Sequence, residues 1–144
     1  ARKGSGPCSV VKWVSESGRL HLFIAFSTGK LVSYVLIDGV VRRESAVSVG
    51  VAVSDLVFVD GGLLVGCADG GLRLVPLREA TYFDSKPTLW KAVNNNKTSP
   101  GINSISLVHT TLNGAATCVC CTGAEDGSVV LFSLKKASSQ PRMS

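Results

Sequence analysis

Catalytic side chains are scarce in this chain. It has two histidines, His21 and His109, each inside an apolar run (LHLF and LVHTT) where an imidazole reads as a structural strand residue rather than a general base. No GxSxG or GDSG-like string offers a serine nucleophile on a tight turn. STGKL, residues 27–31, contains a Gly-Lys pair without the glycine-rich loop that cradles phosphate. Cys118, Cys120 and Cys121 fall close together, but a strand sends Cys121 to the face opposite the other two, and no second Cys pair or HxxxH partner lies nearby. Zinc is therefore not expected. No apolar run approaches the roughly 18 residues of a membrane helix, because LHLFIAF and LVFVDGGLLVGCA are broken by polar or glycine positions. The chain is predicted to be soluble and without a membrane span. The N-terminal ARKGSGPCSVV has basic residues but no apolar core with a small-residue cleavage site, so it does not read as a signal peptide. No enzyme is predicted, and no catalytic, cofactor-binding or metal residue is assigned; no small-molecule substrate is evident.

What remains is material for a β core. The 144 residues suffice for one domain or for part of a larger one. Hydrophobic residues make up 45 % against 17 % charged, which places the chain among globular proteins rather than disordered ones. Fifteen glycines with only 6 % aromatics point to many short strands and turns. The five cysteines read as reduced, buried, small hydrophobes of an intracellular protein.

A short pattern recurs three times. FIAF, STGK and LVSYVLI form one strand–turn–strand unit; LLVGCA, DGG and LRLVPL a second; TCVCCTGA, EDG and SVVLFSL a third. Gly next to small polar residues between apolar runs is a hairpin signal, because Gly accepts the positive φ such turns require. A further strand precedes each hairpin: SVVKWV before ESGR, VSDLVFV before DGG, and INSISLVH before TLNG. Gly29, Gly70 and Gly127 mark the repeat, separated by 41 and 57 residues. The longer spacing holds an insertion, residues 78–101, with TLWKAV as an additional strand and NNNKTSPG as a polar loop. VRRESAVSVGV and TLWKAV are expected as polar edge strands. No segment carries the apolar spacing of an amphipathic helix.

GCADGGLRLVPL and GAEDGSVVLFSL resemble WD40 repeats, and the resemblance covers about residues 8–136. It implies an all-β fold: a WD40-like β-propeller segment of about three antiparallel blades (about 8–37, 42–77 and 88–134), incomplete by itself, between a basic N-terminal tail at 1–7 and a polar C-terminal tail at 137–144. The sequence departs from the family where Tyr34-Val35, Val75-Pro76 and Phe132-Ser133 replace the usual Trp-Asp. It also lacks the Gly-His dipeptide, so the family's Asp-His-Ser/Thr-Trp hydrogen-bond network is expected to be absent. Propellers close with about four to eight blades. Three leave two apolar faces open, and the chain is expected to act with other protein subunits or further blades.

Asp69 and Asp126 read as turn residues, together with Gly29, Gly70 and Gly127, because Asp before Gly bonds local backbone amides. Asn96-Lys97-Thr98 fits a glycosylation acceptor, which has no role inside a cell. Trp13 and Trp90 are interface candidates, with packing between sheets the alternative. Arg42 and Arg43 join them as a basic pair. The +5 net charge admits nucleic acid as a partner, although its basic residues are scattered and no aromatic stacking platform accompanies them. The function expected is a non-catalytic protein–protein interaction scaffold in a larger assembly; the alternative is a nucleic-acid-binding module of a ribonucleoprotein. Strand order, the Trp in the first unit and the insertion after the second also resemble the small WD-repeat nucleoporins of the nuclear-pore Y complex. That resemblance implies a pore scaffold in the nucleus or nuclear envelope, bound to neighbouring nucleoporins.

Overall fold

The computed structural model describes residues 6–16, 18–59, 61–78, 82–83, 87–92, 100–135 and 142–143. Among them there is no helix; the elements are thirteen strands in three antiparallel sheets, none closed into a barrel. The first sheet runs in the order β1 (Cys8–Glu16), β2 (Arg19–Phe26), β3 (Lys30–Ile37), β4 (Val40–Ser48). The second contains β5 (Val53–Val59), β6 (Gly62–Cys67), β7 (Gly71–Arg78) and β8 (Tyr82–Phe83), with β9 (Thr88–Ala92) also paired to β7. The third is β10 (Ile102–Leu112), β11 (Ala115–Ala124), β12 (Val129–Lys135) and β13 (Arg142–Met143).

The three sheets are copies of one plan, down to single hydrogen bonds. In each hairpin a glycine amide closes the turn onto the carbonyl three residues back: Gly29 to Phe26 at 2.8 Å, Gly70 to Cys67 at 3.1 Å, Gly127 to Ala124 at 3.0 Å. Those glycines have φ of 94°, 80° and 86°, a region that side chains other than Gly avoid. In each sheet the turn's first amide also reaches the carbonyl just ahead of the first strand: Ser27 to Pro7, Ala68 to Ala52, Glu125 to Gly101. Each first strand carries a bulge at the same place, at Cys8/Val10, Val53/Asp55 and Ile102/Ser104.

Three expected boundaries change. The run 40–48 belongs to the first sheet as β4, because a tight turn with positive φ at both Asp38 (51°) and Gly39 (76°) folds it back on β3. The first unit therefore extends to Ser48 instead of ending at residue 37. Thr88–Ala92 pairs with β7 and is part of the second sheet, not the start of the third. Part of the expected C-terminal tail is the strand β13, bonded to the end of β12. Residues 1–5 and most of the NNNKTSPG loop lie outside the described residues.

Along the chain each sheet has a backward face, toward the preceding sheet, and a forward face, toward the next one. The forward face of the first sheet meets the backward face of the second around Phe23, Ala25, Leu31, Leu56, Leu63, Val65 and Val75. The forward face of the second meets the backward face of the third around Leu64, Leu72, Leu74, Ile102, Ile105, Cys118 and Cys120. Strand alternation makes this division: in β6, Leu63 and Val65 point one way and Leu64 the other, and all six residues are buried. First strands are neighbours, β5 touching both β1 and β10.

Candidate functional site: the backward face of the first sheet

The common plan allows each position to be compared across sheets. Counting from the bulges, Val11, Leu56 and Ile105 are equivalent, and so are Trp13, Phe58 and Leu107. Register carries the equivalence to the next strands, where Leu22 and Ile24 correspond to Leu63 and Val65, and to Cys120 and Thr122. On the third strands Tyr34 and Leu36 correspond to Val75 and Leu77. All of these lie on backward faces.

In the second and third sheets that face is covered. Leu56 is 0 % exposed and Ile105 is 6 %. In the first sheet the same face is apolar and open, with Val11 56 % and Trp13 53 % exposed beside Leu20 and Val41. The forward face of the third sheet is also open, but its chemistry differs. It presents Ser104, Ser106, Thr117, Val119, Gly123 and Ser133 among Val108, Leu112, Val129 and Leu131, its large exposed apolar residues.

The covered interfaces reveal how one sheet locks to the next. Gly66 forms a hollow: a Cβ there would lie 2.6 Å from Ile102 Cγ2 and 3.1 Å from Ile105 Cδ1. The equivalent positions are Ala25, which is fully buried in the interface with the second sheet, and Gly123. Among the described residues a Cβ at Gly123 would meet only Ser104 Oγ, at 3.1 Å. Polar groups add direction. Asp55 Oδ2 accepts the Ile105 amide at 2.7 Å, while Oδ1 accepts the Leu56 amide at 2.9 Å and pairs with Lys12 Nζ at 3.2 Å. One carboxylate thus ties three sheets together. Ser54 donates to the Gly66 carbonyl at 3.1 Å and also faces the Ile102 carbonyl; Ser9 repeats the first of these bonds on Ala25 at 3.2 Å. Neither Ser54 nor Asp55 was a site candidate from sequence. Their only signal is a polar pair inside the apolar run VSDLVFV.

Asp69 accepts the Gly71 amide at 3.0 Å and a two-pronged contact from Arg73 at 3.0 and 2.8 Å. The guanidinium holds the carboxyl below its ordinary value and is itself pushed up by the carboxylate. Asp126 accepts the amide and hydroxyl of Ser128, which also lower it. Both aspartates thus sit in hairpin turns, on different sheets. Arg42 and Arg43 lie on the edge strand β4, opposite Val35 and Tyr34, exposed and on alternate faces. Trp90 lies in β9, where the pairing to β7 shifts; its side chain is outside the described residues.

His21 is buried, with Nε2 3.3 Å from the Glu16 carbonyl. A carbonyl only accepts, so Nε2 carries the proton, and buried Nδ1 has no partner among the described residues. His109 is exposed. Cys67, Cys118 and Cys120 are buried, Cys121 is half-buried and Cys8 is exposed, all as free thiols. Burial, with Cys118 and Cys121 alongside, pushes the Cys120 thiol up to about 12, so it stays protonated and inert. Among the described residues no three His, Cys, Asp or Glu side chains form a metal-ligand set, and no helix is long and apolar enough to cross a membrane.

No family model matches the chain, and no curated protein is found to be similar to it.

Proposed function

We propose that the chain is a non-catalytic protein–protein interaction scaffold, built as a WD40-like propeller segment of three blades whose open faces are covered in a larger assembly. One observation carries the reading: Val11, more than half exposed, occupies a position whose counterparts Leu56 and Ile105 are buried under a neighbouring sheet, and Trp13, also more than half exposed, one whose counterparts Phe58 and Leu107 are partly buried there. An apolar face of identical plan without a cover leaves hydrophobic area in water that burial would stabilise by about 25 cal/mol per Å². Repeated antiparallel meanders, two of four strands and one of five, with neighbouring first strands also suit propeller blades, and propellers close with about four to eight. On this reading the sequence resemblance to WD-repeat nucleoporins makes the nuclear-pore outer ring the assembly to try first.

The test is Trp13→Glu, made in the chain expressed in cells. The tryptophan is exposed, so the variant should fold normally yet leave the high-mass fraction that the parent occupies. Retention in that fraction would sink the reading. A second reading, nucleic-acid binding, draws on the +5 charge and the exposed Arg42 and Arg43. It expects retention on RNA that falls steeply with salt and is weakened by Arg42→Ala with Arg43→Ala. The scaffold reading expects neither.

A further inference from the structure

We infer that the cover for the backward face of the first sheet is the forward face of the third sheet of a second copy of this chain, and reciprocally, so that two copies pair head to tail. The inference rests on reading the open faces as blade interfaces, and it adds the occupant.

Three observations point to it. The first is continuity with the interfaces inside the chain: forward face meets backward face twice, from the first sheet to the second and from the second to the third. The two open faces are the next backward face and the next forward face of the same series. A second copy therefore offers a partner to each with one kind of contact.

The second is shape. Within the chain, Ile102 and Ile105 fill the hollow over Gly66. Val11 is the exposed equivalent of Ile105, and Gly123, the equivalent of Gly66, is a hollow that among the described residues meets nothing but Ser104 Oγ. The face carrying Val11 also has the bulky Trp13, Leu20, Leu22 and Tyr34; the face carrying Gly123 has Val108, Leu112, Val129 and Leu131 exposed beside the small Ser104, Ser106 and Ser133. Both faces thus offer apolar side chains, and Val11 on one has the hollow of Gly123 to enter on the other, as Ile105 enters that of Gly66.

The third is closure. A contact between two different patches forms a ring when its rotation closes and an open polymer when it does not. Two copies bring six such sheets together, within the propeller range of about four to eight.

Light scattering on the purified chain tests this, with Val11→Glu and Leu131→Glu as variants. Both sites are exposed, at 56 % and 66 %, so circular dichroism and thermal melting should match the parent. The parent should have twice the mass of one chain. Each variant alone loses both contacts of the pair and should be monomeric, with dissociation constants raised by about tenfold or more. Mixed together, the variants should form a one-to-one pair, because an intact first-sheet face on the Leu131→Glu chain meets an intact third-sheet face on the Val11→Glu chain.

A monomeric parent, open polymers, or a Leu131→Glu chain that still pairs with itself would each overturn the head-to-tail pair. So would a mixture that stays monomeric. If the parent is monomeric while Trp13→Glu still leaves the cellular assembly, the occupant is a different protein and the scaffold reading stands. If neither effect is seen, both fall.

Discussion

Leu56 and Val11 stand at the same place in two sheets of the same plan, yet one is sealed and the other is more than half exposed. Their side chains are nearly alike, and so are their strands, with a bulge just ahead and an apolar partner across the ladder at Val65 or Ile24. Only the first sheet lying over Leu56 distinguishes them. An apolar strand position therefore contributes to the stability of the fold where a sheet covers it, and little where none does.

The largest effect should come from breaking this pair. Leu56→Ala leaves a cavity between two sheets and should cost about 3 kcal/mol in urea unfolding, whereas Val11→Ala, in dilute chain, should change stability by less than about 0.5 kcal/mol. Equal losses at both sites would mean that the first sheet's backward face is covered within the chain.

Gly66 and Gly123 sharpen the contrast from the other side. Gly66→Val drives a side chain into Ile102 and Ile105 and should cost about 2 kcal/mol by overpacking. Gly123→Val meets, among the described residues, only the Ser104 hydroxyl, so its melting temperature should stay near the parent's while the mass in light scattering falls to that of one chain.

The polar lock should separate in the same way. Asp55→Ala strands the Ile105 amide and leaves Lys12 without its partner, at a cost of about 2 kcal/mol. Ser104→Ala, at the equivalent open position, should cost less than about 0.5 kcal/mol. Thermal melts of the two single variants decide it.

The smallest effect is in acid. The Asp69 carboxyl is held below its ordinary value of 3.8 by Arg73, so its contribution is complete above that value and disappears as pH falls through and below it. The carboxylate side chain is 44 % exposed, which limits the contribution to about 0.5 kcal/mol. Asp69→Asn should remove that much of the slope of stability between pH 5 and 2 (roughly the range that titration spans), while a slope identical to the parent's would place the linkage elsewhere.

The hairpins were legible from sequence because turn chemistry is local. Asp-Gly and Thr-Gly between apolar runs require a residue with positive φ, and Gly29, Gly70 and Gly127 supply it. The Asp38-Gly39 turn carried the same signal, and it is what assigns β4 to the first sheet. The partner of Thr88–Ala92 could not be read, because a short strand after an insertion pairs as readily with the strand before it as with the strand after it. The bond from Asp55 to the Ile105 amide joins residues fifty positions apart, and no spacing in the sequence encodes it.

By itself the sequence determined the strands, the tight turns and the threefold recurrence of one unit, since period-two alternation and glycine at positive φ act within a few residues. It also made both faces of the first sheet apolar. Which of them is covered was decided only by the tertiary structure, because burial depends on what lies across the sheet. Val11, Leu56 and Ile105 are interchangeable as letters, and only the packing of one sheet on the next makes two of them core and leaves the third exposed.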